Sequence, residues 1–229
     1  MRFLLRPKWI ALTLVCLAVL PAFKSLSDWQ WRRLHQRIAF NAQMTANSQQ
    51  PPLSVSQAKL VTSGDEWRTV QACGQWDAAA QVLVRRRTLN TEAGFWVATP
   101  LVSPEGTITV VRGFHPNGTS STQSPTIDPT PRGQVCISAR LRFAPQRTGA
   151  VPHDLPQGQA DQLEAGPYLE LTASTPASDS GLTMLPAPEL TEGPHRSYAI
   201  QWLIFAAMTI AGWIVLVRNE IVRRRDVSD

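Results

Sequence analysis

Two apolar segments near the ends of this 229-residue chain constrain its fold more than any other feature. The twenty residues Tyr198–Val217 carry no charged side chain. A helix rises about 1.5 Å per residue, so this stretch can cross a hydrocarbon core of roughly 30 Å. Near the other end, Trp9–Phe23 is apolar apart from Thr13 and Pro21, and Arg2, Arg6 and Lys8 precede it. That layout also suits a secretory signal. However, Leu20-Pro21-Ala22-Phe23-Lys24 lacks a small-x-small cleavage site, and apolar character resumes at Leu26, Trp29 and Trp31. With the Lys24 ammonium reaching the interface, the segment reads as a retained span extending to Leu26.

Charge placement fixes how the basic balance is understood. The chain is formally +5, which invites a nucleic-acid reading. Residues 41–194 sum to −3, whereas the two ends sum to +8. The basicity therefore flanks the apolar segments and belongs to membrane topology. No pattern of a nucleic-acid-binding module is present, and nucleic acid is excluded as a partner. Two spans place both termini on one side, and the Arg223-Arg224-Arg225 cluster, with Arg2, Arg6 and Lys8, marks that side as cytoplasmic. Arg32, Arg33 and Arg37 oppose this, but a long segment translocates largely regardless of its charge. The expected layout is a cytoplasmic segment 1–8, a transmembrane helix 9–26, an extracytoplasmic β-rich domain with linkers 27–197, a transmembrane helix 198–217 and a basic cytoplasmic tail 218–229.

Within the central segment, Ser27 or Asp28 offers helix-start chemistry for a helix running toward Met44, ended by Gln49-Gln50-Pro51-Pro52. From Trp67 the pattern becomes strand-like. Candidate strands are Trp67–Cys73, Gln81–Arg87, Phe95–Val102, Thr107–Arg112, Gln134–Phe143 and Tyr168–Thr172. Ser103-Pro104-Glu105-Gly106 suits a type I turn joining Phe95–Leu101 to Thr107–Arg112 as a hairpin. In Gln134–Phe143 the residues Val135, Ile137, Ala139, Leu141 and Phe143 share one face, opposite Arg140 and Arg142. The fold class is therefore an α+β membrane protein, with two transmembrane helices flanking an external, mostly antiparallel β domain that forms a sheet or partly closed barrel. Residues 117–132, 145–167 and 176–194 read as loops or linkers rich in Pro, Ser, Thr and Gly.

The chemistry available is narrow. Cys16 lies in the first span as a small apolar residue. Cys73 and Cys136 occupy outward-facing positions of their strands. They can pair only if those strands are neighbours with Cα atoms within about 7 Å, and are otherwise two unpaired thiols. No phosphate-binding Gly loop, nucleophile elbow or His-Glu-x-x-His occurs, so no enzyme activity is expected. His115 and His153 read as solvent-facing loop residues, Arg85-Arg86-Arg87 as a solvated strand end, and the Asn117-Gly118-Thr119 triplet carries no weight. The second span offers more. Helical spacing puts His195, Tyr198 and Trp202 on one face with Gln201 one position aside. This cluster could hold an amphipathic ligand bearing a metal or carboxylate, or it could be an aromatic belt with a solvated histidine.

Four stretches resemble the surfeit locus protein family of cytochrome c oxidase assembly factors, in a bacterial form. Leu26-Ser27-Asp28-Trp29-Gln30-Trp31-Arg32-Arg33 is similar to that family's Leu-Gly-x-Trp-Gln-x-x-Arg after the first span. Gly94-Phe95-Trp96-Val97-Ala98-Thr99-Pro100-Leu101 resembles its Gly-x-x-Val-x-Thr-Pro-Leu strand, and Val111-Arg112-Gly113-Phe114-His115-Pro116 its Arg-Gly-Trp-Val-Pro turn. Gly193-Pro194-His195-Arg196-Ser197-Tyr198-Ala199-Ile200-Gln201-Trp202 resembles its His-x-x-Tyr-Ala-x-Gln-Trp lead into the second span. Ser27 stands where the family has Gly, and Phe114 where it has Trp. The resemblance implies a non-enzymatic membrane assembly factor assisting haem a delivery or insertion into the oxidase catalytic subunit, or a structural scaffold that never touches haem. It implies haem a as a cofactor, with His195 as iron ligand and Tyr198, Trp202, Gln201, Trp29 and Arg33 around it, Arg33 or Arg196 reaching the propionates. The implied partners are the catalytic subunit of cytochrome c oxidase, the haem a synthesis or delivery machinery, and the lipid bilayer.

Overall fold

The computed structural model describes residues 2–117, 124–146, 157–177 and 181–226. His153, most of the Asn117–Thr119 triplet and parts of all three expected linkers lie outside the described residues. The chain divides into a helical unit, Met1–Ala42 with Glu189–Asp229, and a β-rich unit, Gln43–Pro188.

In the β-rich unit, alternating apolar residues form seven strands: β1 Thr69–Trp76, β2 Val82–Leu89, β3 Glu92–Ser103, β4 Gly106–Pro116, β5 Val135–Ala144, the two-residue β6 Gln159–Ala160, and β7 Gly166–Thr175. Their order is β1-β5-β7-β4-β3-β2-β6, and β1 also pairs with β3. That extra pairing closes β1, β5, β7, β4 and β3 into a ring. The twelve-residue β3 makes closure possible: Val97 and Ala98 flank an irregularity, the residues up to Ala98 pair with β2, and Leu101 and Val102 pair with β1. Pairing is antiparallel except between β4 and β7 and between β2 and β6. The expected hairpin is present, with Leu101 opposite Ile108 and Ser103 opposite Gly106.

The inward parity expected for β5 holds. Val135, Ile137, Ala139 and Leu141 are buried with Val70, Leu101, Val110 and Leu169. A short helix α2, Val55–Leu60, is too brief for periodicity to reveal. Ser54 starts it through a capping box with Gln57, and buried Val55 and Ala58 pack on the core. Outward parity is what brings Cys73 and Cys136 together. The two are directly opposed on neighbouring β1 and β5, with Cα atoms 4.0 Å apart, and they form a disulfide on the outer face. Arg112 and Gly113, expected at a turn, lie within β4, where Gly113 pairs with Val97, and they serve the fold. Buried Arg112 donates from Nη2 to Gln81 Oε1 at 2.8 Å. A Cβ on Gly113 would lie 2.8 Å from the Thr183 carbonyl oxygen, so only glycine lets Thr183 bridge to Phe114. Arg87 is not a solvated strand end, because its guanidinium lies over Trp96 at 4.3 Å.

The opposite face of β5 carries a charged network. Glu170 on β7 lies 3.4 Å from Arg142 and 3.5 Å from Arg140, and Arg142 also covers Trp67 at 3.6 Å. Burial pushes the Glu170 carboxyl above its ordinary range, and the two arginines only partly oppose this.

In the helical unit, α1 runs unbroken from Pro7 to Ser48, and α3 from His195 to Arg225. Both are long and apolar enough to cross a membrane. The helix start expected at Ser27 or Asp28 is absent. Ser27 Oγ donates instead to the Ala199 carbonyl across the helix pair (3.0 Å), and Asp28 pairs with Lys24. With neither Gly nor Pro between Ala22 and Ser48, the backbone has no reason to break there. Trp9, Thr13, Cys16, Leu20, Phe23, Ser27, Gln30 and Leu34 on α1 are buried or half-buried at alternating steps of four and three residues. His195, Ala199, Trp202, Ala206, Thr209 and Trp213 do the same on α3. This is the seam of an antiparallel pair. Trp213 Nε1 donates to Thr13 Oγ1 (3.0 Å), and Trp202 stacks on Phe23 with ring centroids 5.8 Å apart. At the far end Arg224 lies over Phe3, and Glu220 accepts from Arg223 and Arg224.

Two outcomes follow from these contacts. At the seam, Ser27→Gly keeps the close approach and is expected to lower hairpin stability by less than about 1 kcal/mol, whereas Ser27→Leu overpacks it by about 1–3 kcal/mol. Thermal midpoints of the full chain in lipid nanodiscs check the order, and equal midpoints would contradict close packing. In the β domain, a carboxyl whose folded pKa is raised binds more protons folded than unfolded. Its contribution to stability is thus fully present below the unfolded value and falls as pH rises through the folded one. Glu170→Gln is expected to remove this pH dependence, while Arg142→Ala, which removes one partner of the buried network, costs about 3 kcal/mol. Denaturant unfolding across pH checks both, and a slope unchanged by Glu170→Gln would contradict the assignment.

Candidate functional site at the start of the second long helix

The start of α3 gathers the residues singled out by sequence. Gly193, with φ +69°, turns the chain and donates its N–H to Thr191 Oγ1 (3.1 Å). Pro194 leads into the helix, its carbonyl accepting from Ser197 Oγ (2.8 Å) and from the Tyr198 N–H (3.2 Å). His195 thereby sits half-buried at the end of the seam. Its Nδ1 lies 2.8 Å from Oε1 of Gln30, a side chain only 9% exposed. The Cδ2–Nε2 edge of the ring lies beside Gly193, where an added Cβ would make ordinary contact, 3.5 Å from Cδ2 and 3.6 Å from Nε2.

The remaining expected residues divide between seam and flank. Trp202 is in the seam, its indole engaged by Phe23 and in edge contact with Phe205 at 5.7 Å. Tyr198 and Gln201 precede the seam residues Ala199 and Trp202, and Trp29 and Arg33 precede Gln30 and Leu34. In an antiparallel pair, positions one before the seam on both helices fall on the same side. Tyr198 and Trp29 are accordingly 46% and 45% exposed, and Gln201 and Arg33 are exposed beside them. The Arg33 guanidinium lies 5.9 Å from the Trp29 ring centroid, and its Nη1 is 3.4 Å from Gln36 Oε1. Gln30 is the residue that sequence reasoning missed. Its signal was the Trp-Gln pair after the first span, but only the phase of the seam shows that the glutamine, not the tryptophan, faces His195.

Among the described residues no group of three or more His, Cys, Asp and Glu side chains could hold a metal ion. The donor set fits haem: one imidazole, exposed aromatic rings, and the cation Arg33 on the same side for carboxylates. His115 is taken up locally, with Nδ1 2.8 Å from the Pro116 carbonyl oxygen.

Comparison with known proteins places these features in a family. The family model for the SURF1 family matches residues 17–207, from within α1 into α3. SURF1-like proteins of Mycobacterium bovis and of two Mycobacterium tuberculosis strains are each 33% identical to this chain over 243 aligned positions, covering 97% of it and 88% of the relative. Both the β barrel and the His195 site lie within the matched span, and the chain belongs to the SURF1 family of cytochrome oxidase assembly factors.

Proposed function

We propose that this protein assists haem a delivery to the catalytic subunit of cytochrome c oxidase, with His195 as the iron ligand. The observation that carries this reading is the imidazole held by Gln30 through Nδ1, with its Cδ2–Nε2 edge turned to Gly193 rather than to Gln30. Haem, when bound, supplies an iron that accepts an imidazole lone pair, an apolar ring face and two carboxylates. In this reading Trp29 and Tyr198 offer apolar surface, and Arg33 on the same side offers charge-assisted hydrogen bonds, whereas Arg196, one residue after the seam, faces the other side of the pair. Gln201 borders the same side, and Trp202 keeps the helices in register. The partners follow from the family: the oxidase catalytic subunit and the machinery that makes or carries haem a. A second reading, a scaffold for an oxidase subunit that never binds haem, draws on the same hydrogen bond, because holding α1 to α3 is itself a sufficient role for His195.

We also propose that both termini are cytoplasmic and residues near 45–190 extracytoplasmic. The basic residues at both chain ends support this, and the Cys73–Cys136 disulfide suits an oxidising compartment.

His195→Ala is expected to abolish haem in the purified protein and to lower oxidase activity at normal membrane abundance, with Tyr198→Phe doing less because the ring remains. Haem content under identical loading checks this, and equal content in wild type and His195→Ala would leave the scaffold reading. A reporter enzyme fused after Arg225 is expected to be active only on the cytoplasmic side, and activity only outside would contradict the topology.

A further inference from the structure

We infer that Gln30 is a positioning residue for His195, fixing the imidazole as the Nδ1–H tautomer so that Nε2 carries the lone pair on the edge facing Gly193. The iron-binding consequence rests on the function proposed above, whereas the tautomer itself does not.

A neutral imidazole has one N–H, and a carbonyl oxygen can only accept. Gln30 Oε1, 2.8 Å from Nδ1, therefore accepts from Nδ1–H, and Nε2 is left unprotonated. The partner is fixed rather than mobile. Gln30 is buried in the seam, and one turn away Ser27 Oγ bonds the Ala199 carbonyl (3.0 Å), holding α1 and α3 in register beside the pair. On the histidine side, the bonds from Gly193 N–H to Thr191 and from Ser197 and Tyr198 to Pro194 hold the backbone. The edge set free is the one that faces Gly193, whose φ of +69° favours glycine and whose added Cβ would make only ordinary contact with Cδ2 and Nε2. Histidines that bind metals commonly donate their second ring N–H to such an oxygen, which orients the ring and raises its basicity. A buried amide is suited to this, since it accepts without bringing a charge into the helix pair.

The test uses the full chain, labelled with 15N-histidine, in lipid nanodiscs without haem at about pH 9, where imidazole is neutral. The His195 signals, assigned by their loss in His195→Ala, are expected to show one tautomer with protonated Nδ1. Gln30→Leu, close in volume, is expected to give a mixture, and Gln30→Glu, which keeps an acceptor oxygen, to restore the single form. Ferric protoporphyrin titrated into the same samples is expected to bind Gln30→Leu about 10–100-fold more weakly than wild type, with Gln30→Glu close to wild type. A protonated Nε2 in the wild type, or a Gln30→Leu variant with unchanged tautomer and affinity, would overturn the proposal. The expected tautomer in a wild type that binds no porphyrin would support the role of Gln30 and overturn the haem reading alone.

Discussion

The seam between α1 and α3 is the constraint on which the candidate site depends. Neither helix carries the site by itself: His195 belongs to one and Gln30 to the other, 165 residues apart in sequence, and they meet because the helices pair antiparallel. Small and polar residues set that pairing. Ser27 and Ala199 let the backbones approach, Thr13 and Trp213 bond across the pair, and Phe23 stacks on Trp202. In a hydrocarbon environment, packing and interhelical hydrogen bonds replace the hydrophobic effect as the force between helices. The resulting hairpin leaves one side lined by Trp29, Arg33, Tyr198 and Gln201. An imidazole beside that side is a fixed feature of the helix pair rather than a loop residue.

The β domain is built on different physics. Its ring of strands closes because β3 is long enough to serve two neighbours, and its interior is filled by alternating Val, Leu and Ile. The stretches in β3 and around Arg112 and Gly113 in β4 do structural work there. Gly113 admits the segment around Thr183, and Arg112 is held on Gln81. Charge is buried at Glu170, Arg140 and Arg142, where the arginines offset only part of the cost of desolvating the carboxylate. The stretches around Gln30 and His195 instead meet across the helix pair.

Much of this was legible in the sequence. Hydropathy and charge located both long helices, and alternation located the hairpin and the inward face of β5, whereas the face that spacing gave to His195, Tyr198 and Trp202 is split, with Tyr198 on the exposed flank. What was not legible depended on pairing. Ser27 has the side chain of a helix cap, and only the presence of α3 turns its hydroxyl to Ala199. Outward parity seemed to separate Cys73 from Cys136, yet on adjacent strands the same parity brings them together. Gln30 was hidden behind its aromatic neighbours, because the buried face of α1 cannot be identified until its partner is known. α2 and β6 are too short to leave a periodic signal.

The proposed handling of haem a for an oxidase, at the surface where His195 sits, is open to one decisive measurement. The tagged full chain is purified from its own membranes and read at once for haem type and for oxidase subunits. Haem a is expected in the wild-type preparation together with the oxidase catalytic subunit, and the same subunit without haem in the His195→Ala preparation. A wild-type preparation that carries neither haem nor any oxidase subunit would contradict it.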